Sequence, residues 1–191
     1  MRIGIFGGTF NPIHIGHLVA AQTVQEKLRL DKVVFVPSYL PPHKSSKNII
    51  AAKDRYQMVQ QAIKGNINFS VSDFEVKRIE KSYSIETVNF LETQFPRRTK
   101  IFFIIGEDGL ATLSTWRCID ELLSKVTFAV VHRPGCEGRF SEIKIQAIPM
   151  AGLDISSSEI RKRIKANKKV QYILPQSVWQ YIEKKKLYKR S

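Results

Sequence analysis

An α/β fold, a doubly wound parallel sheet with helices on both faces, is predicted by three features of the 191-residue sequence. Short, continuously apolar runs such as RIGIF, KVVFVP, KIFFIIG and VTFAVV have the form of strands buried on both faces. Segments with apolar residues every three or four positions lie between them, as expected of helices that cross between parallel strands. The first run is cut off by Gly7 and Gly8, a tight turn that leads into a helix start.

Taken in order, the chain opens with the strand RIGIF and continues into an amphipathic helix from His14 to Leu30. Ile15, Leu18, Ala21, Val24 and Leu28 mark one face of that helix, and Gln22, Gln25, Glu26 and Arg29 the other. KVVFVP is the second strand, and the loop SYLPPHKSS follows because its two prolines allow neither element to continue. Ala51 to Lys64 reads as a helix, Phe69 to Val76 as a short strand, and Ser84 to Phe95 as a helix that stops before Pro96. KIFFIIG is the most apolar strand, followed by a helical stretch holding Trp116 and by the strand VTFAVV. Ile143 to Pro149 forms one more strand, and helices over Ser156 to Ala166 and Gln176 to Lys185 close the chain, the last starting after Pro175. The alternation is that of a Rossmann-like sheet within one domain spanning residues 1–191, with a basic helical C-terminal part from about residue 156.

Composition narrows the function classes. The apolar runs fall far short of the ~20 residues that cross a bilayer, and Gly7, Gly8, Asn11 and Pro12 break the N-terminal one before it can act as a secretory signal. A cytoplasmic location is expected. Cys118 and Cys136 give neither a disulfide framework nor a metal-ligand spacing. The net charge of +14 is concentrated, since eleven Lys or Arg stand against the single Glu183 from Arg161 onward. A solvated helix face and charged tail explain that better than a dedicated nucleic-acid surface.

Two segments carry chemistry. In GGTFNPIHIGH, Gly7 to His17, the glycines allow close backbone approach to a ligand, and the helix N-terminus supplies free amides and a dipole that favours an anion. His14 and His17 share a helix face, with Gly16 leaving space above the backbone. A zinc site would need a third ligand, and neither G-x-G-x-x-G nor a P-loop is present, so phosphate contact is the preferred reading. In ISSSEIR, Ile155 to Arg161, Ser156 and Glu159 have capping-box spacing, while Ser157, Ser158 and Arg161 add hydroxyls and a guanidinium suited to an anion.

Together these segments resemble the (H/T)xGH and ISSTxIR-type signatures of the nucleotidyltransferase superfamily. PPHK at 41–44, SYSIET at 82–87, IGED at 105–108, Trp116 and HRPG at 132–135 make nearly the whole chain similar to bacterial nicotinate-nucleotide adenylyltransferases. The chain departs from that pattern at Ser84, where threonine is common, and at Glu107, where a small residue is common. The resemblance implies catalytic His14 and His17, and an ATP site made from Gly7, Gly8, Thr9, Phe10, His14, Gly16, His17, Ser157, Ser158 and Arg161. It also implies a mononucleotide site made from His43, Lys44, Ser84, Ile85, Asp108, Trp116 and Arg133. Mg²⁺ is expected to arrive with ATP, with no metal ligands from protein side chains, and the implied partners are ATP and nicotinate mononucleotide, without a membrane. The acceptor phosphate is already anionic, so direct in-line attack on the α-phosphate needs positioning and charge neutralisation rather than a general base. The alternatives are nicotinamide mononucleotide or another phosphate acceptor on the same fold, and a basic nucleic-acid-binding module. Oligomeric state is left open.

Overall fold

A computed structural model describes residues 1–41, 48–132, 145–150 and 153–189. Six strands form one sheet in the order β3-β2-β1-β4-β5-β6, and every pairing is parallel. The strands are β1 (Arg2–Gly8), β2 (Lys32–Pro37), β3 (Phe69–Val71), β4 (Lys100–Gly106), β5 (Val126–His132) and β6 (Ile145–Pro149). The helices are α1 (Ile15–Lys27), α2 (Ala52–Ala62), α3 (Phe74–Arg78), α4 (Ser84–Glu92), α5 (Glu107–Ala111), α6 (Ile119–Lys125), α7 (Ser157–Lys165) and α8 (Gln176–Lys185). The predicted doubly wound α/β class is the observed one.

The continuous apolar runs have a direct structural cause, because side chains alternate across the sheet and both sides are covered. Val33, Phe35, Phe102, Ile104, Ala129 and Val131 enter the core shared with α1, α2, α7 and α8. Their neighbours Val34, Val36, Ile101, Phe103, Ile105, Phe128 and Val130 enter the core under α4 and α6. The chain runs outward from β1 through β2 to β3, then returns to β4 on the other side of β1. The two directions of winding part between β1 and β4, and such a point leaves a crevice at the carboxyl ends of the strands.

Three predicted elements are corrected. The strand expected over 69–76 ends at Val71, because α3 begins at Phe74, whose ring turns out of the strand to stack on Phe90 with centroids 4.1 Å apart. The first helix is shorter than His14–Leu30: His14 is its extended N-cap, and Arg29 takes a left-handed φ of 48° that ends it. Trp116 is not within a helix; a 3₁₀ turn, Leu113–Thr115, ends immediately before it and its backbone is extended. The helices expected over 51–64 and 84–95 stop at Ala62 and Glu92, while Gln176–Lys185 runs as predicted. Among the described residues no helix is long and apolar enough to cross a membrane.

Candidate active site

A cleft of about 1210 Å³ opens at the carboxyl ends of β1 and β4. Ligand pockets commonly measure about 300–1,000 Å³, so this one has room for two nucleotides side by side. Both sequence segments border it: Gly7, Gly8, Thr9, Phe10, His14, Gly16 and His17 from one, and Ser157, Ser158 and Arg161 from the other. Ser84, Asp108 and Trp116 also line it. Ile85 does not, because its side chain is buried in the core beneath α4 and only its main chain is near the helix start. His43, Lys44 and Arg133 lie outside the described residues.

The turn after β1 is shaped by packing. A Cβ on Gly8 would sit 2.8 Å from the ring of Phe10, so only glycine fits beneath that ring. Phe10 has a left-handed φ of 45° and is buried, making edge contacts with Phe6 and His17 at centroid distances of 5.6 and 5.2 Å. Its ring thus belongs to the core and supports His17, which leaves its main chain to face the cleft. Gly16 makes room for a protein group: a Cβ there would lie 3.1 Å from His14 Nδ1.

The two imidazoles have different surroundings. The His14 backbone N–H donates to His17 Nδ1 at 3.2 Å, so the proton of neutral His17 sits on Nε2. The rings lie 3.7 Å apart. Burial lowers the pKa of His14 to about 4, so it is a neutral imidazole at pH 7. Its Nδ1 is buried with no hydrogen-bond partner, as is Ser38 Oγ, and both residues line the cleft. Buried polar atoms without partners are costly, and His14 Nδ1 is directed at Gly16 rather than at the open cleft.

The second segment is joined directly to the first. Ser156 caps α7 by accepting from the Glu159 N–H at 3.2 Å, as its spacing predicts. The Ser157 hydroxyl donates to the Pro12 carbonyl at 2.9 Å, so at this helix start the backbone amides, not that hydroxyl, are the groups suited to an anion. Arg161 donates to the Asn11 carbonyl at 2.8 Å and to Ser158 Oγ at 3.2 Å. The two ends of the chain therefore meet at one wall of the cleft.

The opposite wall belongs to the other core. Trp116 packs edge-on against Phe103 and Phe128 at 5.7 and 6.1 Å while also lining the cleft. The Arg117 guanidinium lies 4.7 Å over the Tyr83 ring and 3.6 Å from Glu86, which Arg78 contacts at 2.9 Å. Glu75 is buried here and accepts from the Thr87 hydroxyl; burial raises its pKa, and hydrogen bonds from Thr87 and Ser82 oppose the rise. His132, at the end of β5, is buried and borders the same space.

Sequence reasoning missed Asn11, Arg55 and Glu75. Arg55 is fully buried and donates to four main-chain carbonyls, those of Thr9, Ser38, Tyr39 and Ile50. Burial lowers its pKa to about 10, with Tyr188 and Glu75 favouring the charged form, so it remains a cation at neutral pH. An arginine on one turn of a helix gives no sequence signal of this kind. Asn11 at least stands within the glycine-histidine segment.

Residues 5–163 match the cytidylyltransferase-like family. A relative from Exiguobacterium sibiricum, named "Probable nicotinate-nucleotide adenylyltransferase", is 41% identical over 98% of this chain and 99% of its own length. One of the same name from Shouchella clausii is 43% identical over 98% and 96%. The chain belongs to the nicotinate-nucleotide adenylyltransferase family. The fold of this adenylyltransferase is shared with a Plasmodium falciparum nicotinic acid mononucleotide adenylyltransferase complexed with NaAD, at a TM-score of 0.79 and 22% identity over 98% and 97% of the two chains. A Vibrio parahaemolyticus crystal structure described as "a Putative Nicotinate-nucleotide Adenylyltransferase" superposes with a TM-score of 0.73 at 21% identity, covering 100% of this chain and 96% of that one. Across the adenylyltransferase cleft the histidine segment and ISSSEIR lie on one core's side of the sheet, and Trp116 on the other's.

Proposed function

We propose that this chain transfers the adenylyl group of ATP, bound as its Mg²⁺ complex, to nicotinate mononucleotide, giving deamido-NAD and pyrophosphate in NAD biosynthesis. The observation that carries this reading is a single cleft bordered on one side by the histidine and ISSSEIR segments and on the other by Trp116 and Ser84. Support also comes from relatives named for that activity and from the Plasmodium falciparum structure complexed with NaAD.

The Mg²⁺ carried on the triphosphate neutralises part of its charge; the remaining work falls to the chain. Main-chain amides of Gly7 to Phe10 and at the start of α7 hold phosphate oxygens, joined by Ser158 and Arg161. His17 presents its Nε2–H to the α-phosphate, whose oxygens gain charge during in-line attack. His14, kept neutral by burial, acts as a hydrogen-bonding group rather than a fixed cation. On the far side Trp116 stacks on the pyridine ring, Ser84 and the Ile85 amide meet its carboxylate, and Asp108 meets ribose. His43, Lys44 and Arg133 are assigned to the mononucleotide by resemblance alone.

Replacing the indole separates this arrangement from a purely packing role. Trp116→Ala is expected to raise KM for nicotinate mononucleotide about tenfold or more, with KM for ATP within about twofold, since a base–aromatic stack contributes ~1–3 kcal/mol. Steady-state kinetics with each substrate varied in turn give the two constants. Equal changes in both would assign Trp116 to the core alone.

A further inference from the structure

The adenylyl-transfer chemistry makes no demand on the end of the chain, yet a residue from that end is built into the ATP side of the site. Tyr188 lies beyond α8, is only 9% exposed, and holds a left-handed φ of 62° that a non-glycine residue adopts at a cost. Its neighbours in sequence, Lys186 and Lys189, are exposed. The Tyr188 hydroxyl donates to Asn11 Oδ1 at 2.8 Å, between residues 177 positions apart.

Asn11 is fully engaged around this bond. Its Oδ1 also accepts from the Ile50 N–H at 3.4 Å, its Nδ2 donates to the Asn48 carbonyl at 2.7 Å, and its own carbonyl accepts from Arg161 at 2.8 Å. Arg161 in turn donates to Ser158. A continuous hydrogen-bonded path therefore runs from Tyr188 through Asn11 to the guanidinium and hydroxyl at the start of α7. Burial raises the pKa of the phenol, against the pull of Arg161 and Arg55 and with a further rise from Asp54, so at neutral pH it keeps the proton that it donates. A phenylalanine ring would bury the same apolar surface, so the hydroxyl is explained by its bond to Asn11 and not by packing.

We propose that Tyr188 is a positioning residue for ATP, acting through Asn11 to fix the carbonyl on which Arg161 is seated. The basic C-terminal segment then has a definite task, which is to deliver one buried hydroxyl to the glycine-histidine segment. This inference rests on the assignment of Arg161 to the triphosphate.

The test compares Tyr188→Phe, Arg161→Ala and the double variant in the full chain, measuring kcat, KM for each substrate and Tm. Losing one buried hydrogen bond of this kind is expected to raise KM for ATP about 5- to 10-fold, with KM for nicotinate mononucleotide within about twofold. In the Arg161→Ala background the same change should cost less than about twofold, because the path it acts through is gone. KM does not depend on the folded fraction of a preparation, so a loss of stability alone cannot imitate the result. Normal kinetics for Tyr188→Phe beside an impaired Arg161→Ala would overturn the inference and leave the site reading standing, and an undiminished effect in the double variant would also overturn it. Normal ATP kinetics for Arg161→Ala would remove both.

Discussion

His17→Ala lowers kcat by about 10²- to 10³-fold, the usual cost of removing one donor that stabilises transition-state charge. The structure gives a specific reason for so large an effect from one imidazole. Its Nδ1 is occupied by the His14 backbone N–H, and its ring is buttressed by Phe10 at 5.2 Å and Phe6 at 6.1 Å, so Nε2–H is held in one orientation before substrate arrives. A preorganised donor needs no reorganisation as charge accumulates on the α-phosphate. In the proposed arrangement nicotinate mononucleotide binds at the other wall, and its KM should stay within about threefold of the parent value. Circular dichroism and Tm on the same preparation separate a catalytic loss from unfolding. A kcat within about threefold of the parent would remove His17 from the reaction.

Arg55→Ala is expected to cost about 3–5 kcal/mol of stability, in the range seen when a large buried side chain is truncated. Four main-chain carbonyls would lose their donor at once, and a cavity would replace the largest fully buried side chain among the described residues. Those carbonyls belong to the turn after β1, the exit of β2 and the approach to α2, so activity should fall with stability. Arg55→Lys should rescue little, since a single ammonium cannot reproduce the planar fork that spans these acceptors. Urea denaturation of both variants gives the numbers. A loss below about 1 kcal/mol for Arg55→Ala would mean the loops hold themselves.

The sequence disclosed whatever depends on local pattern. Strands buried on both faces read as unbroken apolar runs, and the turn at Gly7–Gly8, the His14/His17 pair and the Ser156 cap all lie within a few residues of the element they serve. Contacts made across the chain were opaque to such a reading. Arg55 reaches Thr9 over 46 residues, and Tyr188 reaches Asn11 over 177, with nothing in either local pattern to distinguish them from solvated polar residues. Tertiary packing also overrode local preference at Phe74, where stacking on Phe90 and the start of α3 displaced the end of a predicted strand. Gly16 illustrates the reverse case: its need for space was legible, but its occupant is the His14 ring.

The most direct measurement is pyrophosphate release from ATP and Mg²⁺ with nicotinate mononucleotide, nicotinamide mononucleotide and phosphopantetheine offered separately to the purified protein. The account predicts fastest release with nicotinate mononucleotide, and deamido-NAD formed in equal amount. Preference for either other acceptor, or no release with any of the three, would contradict it.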